Sequence, residues 1–148
     1  MNITEVRVKL IHDPRDKLRA FATITIDDCL VIRDLKVIDG GLKGLFVAMP
    51  SRKLQERCPA CAGKNSIKAR FCSDCGRRLP EQRGEIDQRG KVRLYADIAH
   101  PIRQESRDAV QREVVRAYHA EVERSQQAGY VEPTFEGLDY HQYGSGEG

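Results

Sequence analysis

Two cysteine pairs, Cys58-x-x-Cys61 and Cys72-x-x-Cys75, stand ten residues apart in the stretch "CPACAGKNSIKARFCSDCG". No other feature narrows the fold so far. Each Cys-x-x-Cys turn brings two sulfurs onto one ion. Two facing turns supply the tetrahedron that Zn²⁺ prefers, with Zn–S near about 2.3 Å. The backbone beyond the second cysteine of such a turn often needs a positive φ, and Gly63 and Gly76 stand ready to adopt it. Four protein ligands close the site, so the expectation is one structural Zn²⁺ per chain, bound by Cys58, Cys61, Cys72 and Cys75. A redox Cys-x-x-Cys is a poorer fit, because Pro59, Gly63 and Gly76 offer neither the helix N-terminus nor the sheet that chemistry uses.

The fifth cysteine, Cys29, lies in a strand-like run and reads as a small buried core residue. The N-terminus, "MNITEVRVKL", lacks the apolar centre of a signal peptide, and no apolar run approaches the roughly 20 residues of a membrane span. These observations imply a cytoplasmic protein without a membrane partner. In that reducing compartment disulfides between the pairs are disfavoured.

The net charge of +3 is unevenly spread. Residues 52–93 hold 12 basic and 5 acidic side chains, which gives +7 and leaves −4 for the rest of the chain. An anionic partner is therefore expected at this segment. The residues that would contact nucleic acid are Arg52, Lys53, Arg57, Lys68, Arg70, Arg77 and Arg78. With no aromatic cage and no base-reading helix, phosphates should dominate such binding.

Outside the cysteine segment, hydrophobic periodicity sets the elements. "EVRVKL" alternates, which puts Val6, Val8 and Leu10 on one face of a strand. "DPRD" (13–16) reads as a turn, and "LRAFATITID" (18–27) alternates again. Asp27-Asp28 then suggests a tight hairpin into "CLVIRDLKVID" (29–39). "LFVAM" (45–49) and "KVRLYADI" (91–98) read as further strands. The period then changes: Val110, Val114, Ala117, Tyr118 and Val122 recur every three or four residues, a single helical stripe. Ser106 and Asp108 suit the start of that helix and Gly129 its stop. The predicted class is α+β: a small antiparallel sheet with a C-terminal helix and a zinc ribbon inserted in a strand–strand loop. The predicted domains are 1–53 with 91–128, the ribbon at 54–90, and an acidic, disordered tail at 129–148.

Several other residues have structural explanations. His100, before Pro101, lacks an orienting carboxylate and a nucleophile, so a hydrogen bond tying strand to helix is expected. Asp27, Asp28, Asp34 and Asp39 suit turns and strand edges rather than a metal. Tyr130, Phe135, Tyr140 and Tyr143 lie in the acidic tail, where solvation or docking onto the basic insert is expected.

With the ribbon set aside, "VRVKLI", "ATITIDDCLVIRDLKVIDG", "GLFVAMPSRK" and "DIAHPI" followed by the helix resemble the SpoVG family (stage V sporulation protein G). The resemblance covers nearly all of residues 1–53 and 94–122. It implies a sheet with a C-terminal helix, homodimerisation through the sheet, and sequence-tolerant binding of DNA or RNA. It further implies a regulator of gene expression, cell division or sporulation. In the family the basic pair after "MPS", here Arg52 and Lys53, belongs to the nucleic-acid surface. Residues 54–90 replace a short loop of relatives. The leading expectation is a non-enzymatic, dimeric nucleic-acid-binding regulator without a small-molecule substrate. The alternative is a protein-interaction adaptor whose ribbon docks on a polymerase or division protein.

Overall fold

The computed structural model describes residues 1–81 and 83–135. The chain divides into two compact units, Ser51–Ile98 and the remainder on either side of it.

The larger unit is built on a four-stranded antiparallel sheet in the order β1-β2-β3-β4, namely Ile3–Leu10, Leu18–Ile26, Leu30–Asp39 and Leu45–Ala48. Among the described residues the one long helix, α1, spans Gln104–Ser125. Register explains the burial. Val6, Val8 and Leu10 face Ile24, Ala22 and Ala20 across β1–β2, and this face meets α1. Val110, Val114 and Tyr118 on the helix, with Leu35 and Val37 on β3, complete the core. The predicted stripe is therefore the buried face. Antiparallel pairing with one covered face accounts for the alternation read in the strands.

The β2–β3 hairpin turns at Asp27 and Asp28, whose φ values of 52° and 54° match the primed turn that suits the strand twist. The Cys29 N–H closes the turn on the Ile26 carbonyl at 3.0 Å. Cys29 therefore belongs to the turn and is exposed, contrary to the core position expected for it. At the outer strand, Gln111 of α1 reaches β4. Its Oε1 accepts from Val47 N at 2.8 Å and its Nε2 donates to the Leu45 carbonyl at 3.0 Å. One side-chain amide thus stands in for a neighbouring strand at an edge that would otherwise be bare.

Three further expectations are corrected. The stretch 91–98 adds no fifth strand to this sheet: only Tyr95–Asp97 is strand (β8), and it pairs with Ser51–Lys53 (β5) inside the smaller unit. The β5–β8 ladder lies within the smaller compact unit, Ser51–Ile98, which holds the ribbon at 54–90. His100 is exposed and its Nδ1 lies 3.2 Å from the Pro101 carbonyl, a local contact that ties no strand to the helix. The helix begins at Gln104, which puts Ser106 in its first turn as expected, but it ends at Ser125, well before the stop expected at Gly129.

The start of the tail is ordered against the sheet-and-helix unit rather than the basic insert. Tyr130 Oη donates to Glu121 Oε1 at 2.8 Å, and Arg124 Nη1 donates to the other oxygen at 3.0 Å. Those two partners let a carboxylate sit buried within the apolar stripe, which periodicity alone could not anticipate. Further along, His12 Nε2 lies 2.9 Å from Glu132, and Arg7 Nη1 donates to the Thr134 carbonyl at 3.1 Å. Tyr140, Tyr143 and the rest of the tail from 136 lie outside the described residues.

Candidate metal centre and basic surface

The smaller unit has almost no apolar core. Its buried cluster is Cys58, Cys72 and Leu79, with Ala69 against it. Order comes instead from two knuckles of matching design. In the first, Ala62 N donates to the Cys58 carbonyl at 2.8 Å and Cys58 N to the Gly63 carbonyl at 2.8 Å. In the second, Gly76 N donates to the Cys72 carbonyl at 3.0 Å and Cys72 N to the Arg77 carbonyl at 2.8 Å. The hairpin β6–β7 (Gln55–Arg57 and Lys64–Ser66) brackets the first knuckle.

The residue after each second cysteine has a positive φ: 78° at Gly76, but 65° at Ala62 rather than at Gly63. Gly63 leaves room for Asp74 instead. A Cβ there would stand 2.2 Å from Asp74 Oδ2, so the exposed Asp74 side chain would have to move aside.

The four sulfurs all lie within 4.8 Å of one another, with Cys58–Cys75 at 3.8 Å and Cys61–Cys72 at 3.6 Å. A tetrahedron with metal–sulfur bonds of about 2.3 Å has edges of about 3.8 Å. The donor set thus fits a single four-coordinate thiophilic ion. Backbone N–H groups point at the sulfurs: Ala60 to Cys58, Gly63 to Cys61 and Asp74 to Cys72, each at 3.4 Å.

Their electrostatics are uneven. The Cys75 backbone N–H and then the Asn65 amide pull Cys72 down to about 6. The Cys61 and Ala60 N–H groups lower Cys58. At Cys61 the Gly63 N–H acts downward, but the neighbouring Cys72, burial and the other thiols outweigh it and push the group up to about 12. Crowded thiols cannot all ionise on their own, and a cation among them is what permits four thiolates.

All seven predicted nucleic-acid contacts are exposed and lie in this unit. Lys68, Arg70 and Arg78 line one cleft of about 550 Å³ together with Arg83. Arg52 and Arg57 line a groove of about 250 Å³ with Lys64. Lys53 pairs with Tyr95 across β5–β8, and Arg77 sits in the second knuckle. Sequence reasoning missed Arg83, whose guanidinium clasps the Pro80, Ile67 and Ala69 carbonyls. It also missed Asn65. Nothing in composition or charge marked either as different from its neighbours.

A sheet-and-helix domain carrying an insert whose four cysteine sulfurs fit one metal ion is the class these features define. The SpoVG family model matches residues 1–120, and the chain belongs to the SpoVG family. Among its relatives, one from Lachnospira eligens is 39% identical over 132 residues, covering 89% of this chain and 99% of the relative. One from Caldicellulosiruptor bescii is 34% identical over 120 residues, covering 81% and 93%. One from Myxococcus xanthus is 33% identical over 126 residues, covering 85% and 88%. All three are named as septation protein SpoVG. Among the described residues, no helix is long and apolar enough to cross a membrane.

Proposed function

We propose that this chain is a cytoplasmic, non-enzymatic, homodimeric regulator, linked to septation or sporulation, that binds DNA or RNA through its inserted unit. In this reading Cys58, Cys61, Cys72 and Cys75 hold one structural Zn²⁺. The observation that carries it is charge: residues 51–98 hold twelve basic and six acidic side chains, +6, while the remainder holds −3. A zinc–tetrathiolate centre contributes −2 to that unit and leaves about +4 for phosphate contacts.

The ion's role is scaffolding. With all four positions taken by protein it offers none to a substrate, and the cysteines' task is to fix the surface that displays the cations. Self-association is supported by the sheet face opposite α1, where register places Phe21, Ile38 and Phe46. The names of the relatives support the link to septation.

Fluorescence anisotropy with labelled single- and double-stranded oligonucleotides across a salt series tests the reading. Binding should weaken steeply with salt, since each neutralised phosphate contributes about −0.7 to −0.9 to the slope of log K against log salt. Replacing Arg52 and Lys53, or Arg70 and Arg78, with Ala should flatten that slope. No binding even at low salt overturns the reading.

A second reading, a protein-docking adaptor, is favoured by apolar side chains that the ribbon leaves in solvent. Phe71 is 60% and Ile86 70% exposed. A partner bound through them would show little salt dependence.

A further inference from the structure

Asn65 is a polar residue at the middle of β7, only 4% exposed, in a unit that buries almost nothing. Its Nδ2 donates to the Gly63 carbonyl at 3.2 Å and to Cys72 Sγ at 3.3 Å. Its Oδ1 accepts from Ser73 N at 2.9 Å and from Ser73 Oγ at 3.3 Å. The Ser73 N–H can only donate, so the amide's orientation is fixed by the network. One side chain therefore grips both knuckles, the first through Gly63 and the second through Cys72 and Ser73.

We infer that Asn65 is a positioning residue that joins the two cysteine pairs into one four-sulfur site. The inference rests on the metal-centre reading and assigns that site a residue beyond its ligands. The chemistry selects an amide. The group must donate a hydrogen bond to a thiolate on one side and accept one from a backbone N–H on the other, from a single planar head. Aspartate would aim a negative oxygen at the Cys72 sulfur. Alanine would leave the Ser73 N–H and the sulfur without this partner. Groups beside a metal's ligands act by fixing ligand orientation, and their loss typically weakens metal binding about 10- to 100-fold.

The test uses the full chain, with Zn²⁺ affinity measured by competition against a chromophoric chelator. Co²⁺ substitution supplies the thiolate-to-metal absorption bands. Asn65→Ala should bind Zn²⁺ about 10- to 100-fold more weakly and Asn65→Asp more weakly still. Ser73→Ala, which keeps the Ser73 N–H, should stay within about threefold of the parent, below that range. At saturating Co²⁺ the Asn65→Ala spectrum should keep its four-thiolate bands, since the ligands are unchanged. Asn65→Ala within threefold of the parent overturns the inference while the metal centre stands. A parent chain that binds neither ion removes the metal centre, and the inference with it.

If Asn65→Ala fails to fold, hydrogen exchange in the zinc-loaded parent decides. A protected Ser73 amide is expected. Exchange at the rate of an unstructured peptide overturns the inference.

Discussion

Removing the ion should unfold the inserted unit and spare the sheet. The magnitudes come from two unequal cores. The larger unit buries ten residues in one cluster, four of them large side chains with no measurable exposure: Ile24, Leu35, Val37 and Val114. The smaller unit buries one large apolar side chain, Leu79, worth about 1.5–3 kcal/mol. A structural Zn²⁺ on cysteine ligands contributes about 10–16 kcal/mol at neutral pH. The ion therefore outweighs the unit's apolar burial several-fold, whereas the sheet owes it nothing. Backbone amide NMR during titration with a zinc chelator reads both at once. Amides of residues 51–98 should collapse to unstructured shifts, while those of β1–β4 and α1 stay dispersed. Cys72→Ser should reproduce the result without chelator. If the amides of the smaller unit keep their dispersion in metal-free protein, the knuckles are stable without an ion and the reasoning fails.

Three further outcomes are expected. Ala62→Gly should stabilise the inserted unit by about 1 kcal/mol, because an alanine at φ 65° carries a penalty that glycine escapes; chelator resistance measures it, and Gly76→Ala should act in reverse. Ile24→Ala should cost about 2–5 kcal/mol in urea unfolding of the larger unit. A loss below about 1 kcal/mol would contradict the core assignment. Burial first, and then Glu121, push the Tyr130 phenol up to about 12, above its ordinary value of about 10. The folded state thus favours the protonated phenol. Its stabilisation is full below about pH 10 and is lost as pH rises through about 12. Tyr130→Phe should flatten the fall in melting temperature over that window, and an unchanged fall would exclude the Glu121 contact as its source.

Much of this was legible in the residues because the deciding forces were local. Period two in β1 and β2 and period 3.6 in α1 report burial of a single face, and the structure buries those faces. The cysteine spacing was legible for the same reason, since a four-residue turn sets two sulfurs by itself. Most of what failed depended on partners distant in sequence. Residues 91–98 are strand-like in composition, yet only 95–97 form a strand, which pairs with residues 51–53, while Val92 makes a single bridge to Ile86. Cys29 sits beside apolar residues but on the wrong side of a turn. Ala62 rather than Gly63 takes the left-handed angle, because in both knuckles it is the residue directly after the second cysteine that turns left-handed. Asn65 has no periodic or compositional mark at all; only the folded knuckles reveal what its amide joins.

The claim that the inserted unit is a nucleic-acid surface is tested most directly by ultraviolet crosslinking in cells, followed by mass spectrometry of the adducted peptides. The account predicts nucleotide adducts on peptides from residues 51–98, centred on Arg52–Arg57 and Lys68–Arg78, and their loss in the Cys72→Ser protein. Adducts confined to peptides of the sheet and helix, or none at all, would contradict it.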